Sequence, residues 1–258
     1  MARVRELGKP PIQEAVIEFH LSNAVISTSE LSQVADLLMQ DGWTKTAINT
    51  FQATFGPPPD GSGQPLVAQT PTVIEGYAVN GPVGEGRVVI QVREDRVTVS
   101  RTHPYGGWEQ LESDAGSALS AHVKVSKADA IRRIGARYIN LLALGPDEAI
   151  DFSEILTDPP GGIPGASSGA MKDFFYRKIV QGIPVHSIMA DATLGVGTAL
   201  MSEAGTSTKR LLIDIDVSAV CSVAPSVLAA SEHLAVLRGL KNEIFFGSVE
   251  ERAIEAYQ

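Results

Sequence analysis

Arg133 and Arg137 flank a glycine in the apolar run RRIGARYINLLAL (residues 132–144), and Asp214 and Asp216 alternate with apolar residues in LLIDIDV (residues 211–217). Paired guanidinium forks suit a carboxylate or phosphate, because each presents a planar set of donors that matches two oxygens. Paired carboxylates suit a divalent cation of the kind that activates water in hydrolases and nucleases. Both pairs fall in segments with a period of two, so the members of each pair project from the same face of a strand. Glu14 and Glu18 repeat the pattern in PIQEAVIEFHL (residues 11–21).

Three strands thus each carry two like charges opposite an apolar face, two of them acidic and one basic. If they share a sheet, Arg133 and Arg137 pair across strands with Glu14, Glu18, Asp214 and Asp216. A solvated face of this kind is worth little energy, whereas a concave one is a binding groove. A buried Arg137 pair would make truncation to alanine cost about 3–5 kcal/mol. Tyr138 and Asn140 project the other way, with the apolar residues. Asn140 there either finds hydrogen-bond partners or marks an opening in the core.

Other chemistry-bearing residues give weaker signals. The histidines at 20, 103, 122, 186 and 233 show no helical ligand spacing, and a single cysteine, Cys221, excludes an internal disulfide and a cysteine-rich zinc site. Cys221 precedes a helix whose N-terminus could activate a thiolate, although a small buried thiol is the simpler reading. GPVGEG (81–86) and GVG (195–197) read as turns, since neither opens a helix as a phosphate-binding loop must. THPYGGW (102–108) is an aromatic corner that either fills core space or lines a pocket.

The elements that position these groups follow from pattern. Residues 11–21 form a strand. Residues 27–42 form a helix with a Ser27–Glu30 capping box, a Leu31, Val34, Ala35, Leu38 stripe and Gly42 as its stop. A proline- and glycine-rich loop covers 55–65, and 86–101 is a hairpin turning at Glu94–Asp95. A helix starts near Trp108, and a strand covers 129–144. The stretch 158–170 is a linker, followed by strands at 184–194, 197–204 and 208–220. After Pro225 comes a helix with Val227, Ala230, Leu234, Leu237 and Ile244 on one side; Gly247 ends it, and Ser248 with Glu251 caps a last short helix. The expected class is α+β, an antiparallel, curved sheet with long helices packed on one face. The expected organisation is an α+β half at 1–145, a linker with a short helical segment at 146–182 and a strand–helix half at 183–258, packed as one unit.

Composition narrows the partners. A net charge of −9 argues against nucleic acid, since phosphate backbones need an excess of Lys and Arg. Hydrophobic content of 44% with no run of about 18 apolar residues and no leader-like start points to a cytoplasmic globular protein with no membrane association. No cofactor is implied.

Four ordered stretches, KPPIQEAVIEFHL, RRIGARYIN, LLIDIDV and HLAVLRGLKNEIFF, resemble a family of sporadically distributed bacterial proteins of uncharacterised function. The resemblance runs from Lys9 to about Phe246, and its motif positions are Pro11, Glu14, Arg133, Arg137, Tyr138, Asn140, Asp214, Asp216 and Phe246. It implies no activity or cofactor. The patchy occurrence suggests mobile genes such as toxin–antitoxin or phage-defence systems. The leading expectation is a non-enzymatic binding or interaction scaffold whose charged face engages a protein partner or a second copy. One alternative is a metal-dependent hydrolase or nuclease using Asp214, Asp216 and Glu14. Another is a binder of a small anionic ligand through Arg133 and Arg137, with Tyr138.

Overall fold

The computed structural model describes residues 7–24, 26–50, 53–56, 66–69, 73–82, 84, 86–144, 150–161, 173–203 and 206–258. In chain order the elements are β1 (Ile12–Ser22), α1 (Thr28–Leu38), β2 (Thr44–Thr50), β3 (Ala53–Gly56), β4 (Leu66–Gln69), β5 (Val73–Asn80), β6 (Val88–Arg93) and β7 (Arg96–Thr102). There follow α2 (Trp108–Ser126), β8 (Ala130–Ala143), β9 (Phe175–Val185), β10 (Ile188–Glu203), β11 (Thr206–Val223), α3 (Val227–Ser248) and α4 (Glu251–Ile254). Nine strands form one antiparallel sheet in the order β2-β5-β6-β7-β1-β8-β11-β10-β9, with β3 and β4 as a separate pair.

Alternation builds the core. Ala15, Ile17, Phe19 and Leu21 of β1, Ile134, Ala136 and Tyr138 of β8, and Leu211, Ile213, Ile215 and Val217 of β11 are all buried on one face. α1 packs on β5 and β6, α2 on β7 and β1, and α3 on β8, β11 and β10, so the helices cover that face in the order of the strands beneath them. The capping box forms as expected: Glu30 N donates to Ser27 Oγ, and Ser27 N donates to the Glu30 carboxylate. The Leu31, Val34, Ala35 and Leu38 stripe is buried.

The α+β class therefore stands, with corrections. The sheet is not strongly curled. The helices run to 11, 19, 22 and 4 residues and are not the long ones expected. Register shifts occur only at isolated points between otherwise continuous ladders, and curling a sheet needs repeated bulges.

GVG is not a turn: Gly195 and Gly197 lie inside β10, and the hairpin turns instead at His186–Ser187. These glycines make room for a neighbour on β9. A Cβ at Gly197 would stand 2.8 Å from both Phe174 O and Phe175 Cδ2. The signal misread as a turn was space for an aromatic ring.

Smaller corrections concern helix ends. α1 stops at Leu38, and Gly42 serves the following turn at φ +80°. α3 continues through Gly247 to Ser248, whose hydroxyl donates back to Ile244 O and caps nothing downstream. Val227 is exposed at the start of α3, while Leu240 and Phe245 join its buried side. Phe55 and Gly56 of the loop expected at 55–65 belong to β3, and its remainder at 57–65, most of the linker at 158–170 and residues 83 and 85 of GPVGEG lie outside the described residues. No helix among the described residues is long and apolar enough to cross a membrane.

Candidate functional site

β8 lies between β1 and β11, so its two faces bring the candidate residues to opposite sides of the sheet. Glu18, Arg133, Arg137, Asp214 and Asp216 share the face without helices, as the period of two required, and Glu14 projects there too. The register places Glu18 opposite Gly135 and Asp216 opposite Arg137.

The charges on this face largely satisfy one another. Arg137 donates from Nε and Nη2 to the two oxygens of Asp214, at 2.8 and 2.7 Å. Arg133 Nη1 donates to Glu18 at 2.9 Å, and the same carboxylate accepts from Thr98 Oγ1 and lies 2.6 Å from His20 Nε2. The His20 hydrogen bond, with the charges of His20 and Arg133 and the Thr98 bond behind it, holds the Glu18 carboxyl down at about 2 against the opposing effect of burial. Burial pushes the Asp216 carboxyl up, opposed by the charges of Arg133 and Arg137. Among the described residues no group of three or more His, Cys, Asp or Glu side chains could hold a metal ion. Glu14, Asp214 and Asp216 thus share a face without forming a ligand set, because Asp214 is already bound by Arg137.

The opposite face of β8 opens onto a cavity. Tyr138 and Asn140 form part of its wall, together with Tyr105, Gly106 and Gly107 before α2 and Arg238, Lys241 and Asn242 from α3. Its volume is about 390 Å³, and Leu7, Pro10, Pro11, Ile12, Trp108, Phe245 and Phe246 contribute apolar lining. A register shift between Ile12 and Glu14 on β1 lies opposite Asn140, which spreads the sheet at this point. Pro11 O accepts from Leu141 N, fixing the approach to β1 across the end of β8.

Asn140 is buried, at 3% exposure, and its Nδ2 donates to Ile213 O at 3.1 Å and Tyr138 O at 3.4 Å. Backbone carbonyls only accept, so this arrangement fixes the amide orientation. Oδ1 is left with no donor among the described residues. The buried Tyr138 hydroxyl lies 3.4 Å from that of Tyr105, and the rings meet edge to face at 6.1 Å. Burial raises both phenols, Tyr138 well above the usual value, so both stay protonated as donors at neutral pH.

Lys241 is the unusual group. Its Nζ sits 4.0 Å from the centroid of the Tyr138 ring. No carboxylate among the described residues is within ion-pair distance of it. Burial, and secondarily the charge of Arg238 one turn earlier, pull its ammonium down to about 8. Arg238 stacks 5.3 Å over Trp108 and makes only a long 3.7 Å contact to the exposed Glu109 carboxylate. Two cations therefore face a cavity whose other polar groups are hydroxyls, amides and the exposed Glu109 carboxylate, which pairs only loosely with Arg238.

Sequence reasoning found Tyr138, Asn140 and the aromatic corner but missed Lys241, Arg238 and Asn242. The signal was present: Arg238, Lys241, Asn242 and Phe245 follow i, i+3, i+4, i+7 spacing, which puts them on one helix face. Cys221 carries no activated thiolate; burial raises its thiol, whose Sγ reaches Ile131 O at 3.4 Å. No family model matches the chain, and no curated protein is similar enough to count as a relative.

Proposed function

We propose that the protein binds a small organic anion in the cavity between β8 and α3. Of the alternatives drawn from sequence, the anionic-ligand reading is supported best, with a change of residues. Arg133 and Arg137 are closely engaged by Glu18 and Asp214, whereas at the cavity wall Lys241 has no carboxylate partner among the described residues and Arg238 has only the long contact to Glu109.

The observation that carries the reading is Lys241. A lysine held in an apolar surrounding without a counter-charge is costly for folding, and an anion entering the cavity would supply the missing partner. Arg238 offers a planar donor set for a carboxylate, and the Tyr105–Tyr138 hydroxyl pair provides a directional donor, while Asn140 Oδ1 could accept only from a donor group on the ligand. The apolar lining from Trp108, Phe245 and Phe246 suits a ligand with an aromatic or branched body.

Calorimetry with a set of small carboxylates, benzoate and phenylpyruvate among them, and with inorganic phosphate tests the reading. Binding by the wild type that is lost in Lys241→Met and Arg238→Met but kept in Arg137→Ala is the expected result. Binding unchanged in Lys241→Met overturns it.

A second reading, engagement of another copy, has one observation in its favour. β9 has a sheet neighbour on one side only among the described residues, and Phe175, Ile179 and Val180 on it are 67%, 59% and 54% exposed. Unpaired strand edges with exposed apolar residues invite pairing. Light scattering on the wild type and Ile179→Lys tests it: a dimer converted to monomer supports the reading, and a monomeric wild type removes it.

A further inference from the structure

We propose that Lys241 is a nucleophilic amine that forms an imine with the carbonyl of a 2-oxo acid seated in the β8–α3 cavity. The proposal rests on the anion-binding reading and adds a covalent step to it. Its basis is the position of Nζ: at the wall of a cavity of about 390 Å³, against the face of the Tyr138 ring, with no carboxylate among the described residues to hold it as an ion pair. Lys45 and Lys178 show the contrast, being bound to Asp36 and Asp158.

The groups around Nζ suit the reaction. A 2-oxo acid carries its carboxylate on the carbon next to the carbonyl, so a carboxylate on Arg238 brings the carbonyl within reach of a lysine one helical turn away. The Nζ lone pair attacks the carbonyl carbon, the carbon–nitrogen bond forms and the carbonyl π pair moves to oxygen. That oxygen takes a proton from the Tyr105–Tyr138 hydroxyl pair, and the nitrogen gives one back. Loss of one water from the carbinolamine leaves the carbon–nitrogen double bond. No oxidation or reduction occurs, and water is the only product released.

The reacting form is the neutral amine, and the environment favours it. The charged and titratable groups nearest Lys241 are Arg238 on its own helix, Tyr138 on β8, Tyr105 before α2 and Glu109 on α2. Arg238 disfavours a second cation, the two phenols stay neutral, and Glu109 is exposed and turned to Arg238. At neutral pH an amine near 8 has on the order of a hundredfold more of its neutral form than an ordinary lysine.

Reductive trapping tests the proposal on the intact chain. Wild-type protein is incubated with phenylpyruvate or pyruvate and cyanoborohydride at neutral pH, and adducts are located by peptide mass mapping. The expected result is modification of Lys241 at least about tenfold faster than any other lysine, given its larger neutral fraction. Its pH dependence should level off above about 8, while the other lysines continue to gain. Lys241→Arg keeps the cation and should abolish the site-specific adduct. Modification spread evenly over the lysines overturns the proposal. Equilibrium binding of phenylpyruvate without an adduct at Lys241 also overturns it and leaves the anion-binding reading standing. Absence of both binding and adduct removes the two together.

Discussion

Lys241 Nζ rests 4.0 Å above the ring of Tyr138, a side chain only 1% exposed, so a cation from α3 is lodged against a buried aromatic face of the central strand. A cation–π contact of this kind returns about 1–2 kcal/mol. Burial still lowers the amine to about 8, so the contact offsets only part of the desolvation.

Lys241→Met should therefore stabilise the unliganded protein by about 1–2 kcal/mol at pH 7, because it removes a charge the fold disfavours. The sign follows from proton counting. Between about 8 and 10.5 the unfolded chain holds a proton on this lysine that the folded chain has lost, so wild-type stability rises with pH across that window. Denaturant titrations at pH 7 and pH 10 should show this rise in wild type and not in Lys241→Met. A lower midpoint for the variant at pH 7 would contradict it.

Ligand affinity should move the opposite way. An anion that pairs with the ammonium loses its partner as pH rises, so binding of a simple carboxylate should weaken above about 8. Calorimetry from pH 6 to 10 checks this, and the dependence should vanish in Lys241→Arg.

Glu18 governs the acid limb. Its folded value near 2 lies below the usual glutamate value of 4.5, so its stabilisation is present above about 4.5 and lost as pH falls toward 2. Glu18→Gln should cost on the order of 2 kcal/mol at pH 6 and almost nothing at pH 2, read from denaturation midpoints at the two pH values.

Arg137→Ala should cost no more than about 1 kcal/mol. The bidentate pair with Asp214 has good geometry, but the Arg137 side chain is 49% exposed, so water screens the pair and solvates the carboxylate left behind. The figure of about 3–5 kcal/mol applies only to a buried pair. A loss of that size in a thermal melt would show that the face is covered in solution.

Gly197→Ala should destabilise by about 1–3 kcal/mol, since its Cβ would stand 2.8 Å from a backbone carbonyl and the Phe175 ring. Gly195→Ala should be far milder, because the nearest atom to its Cβ is at 3.6 Å. Comparing the two melts separates a steric demand from general strand propensity.

The period of two in three segments was enough to sort Arg133, Arg137, Glu18, Asp214 and Asp216 onto one face and Tyr138 and Asn140 onto the other. Alternation is local, so it survives ignorance of strand order. The cavity was not legible in the same way. Its wall joins the segment leading into β1, the corner before α2, β8 and one face of α3, and only tertiary packing decides which strand lies under which helix. Lys241 was passed over because a lysine on a helix is usually solvated, although its spacing from Leu237 and Phe245 places it beside the buried side of α3. The glycines of β10 misled for a related reason. Close approach of a ring and a tight turn both select glycine, and sequence alone does not separate them.

The strand order has a consequence for how the protein comes to possess its cavity. The central ladder pairs Ile12 with Asn140, and Asn140 with Ile213, so each pair is far apart in sequence and the three strands together draw on most of the chain. Such contacts form late and slowly, because the entropy of closing long loops must be overcome before any of them contributes. The hairpins β6–β7 and β10–β11 need no such closure. A nascent or partly denatured chain can hold both hairpins and still lack a cavity altogether. Ligand capture then becomes a sensor of completed folding, a property of the assembled chain that no local segment possesses.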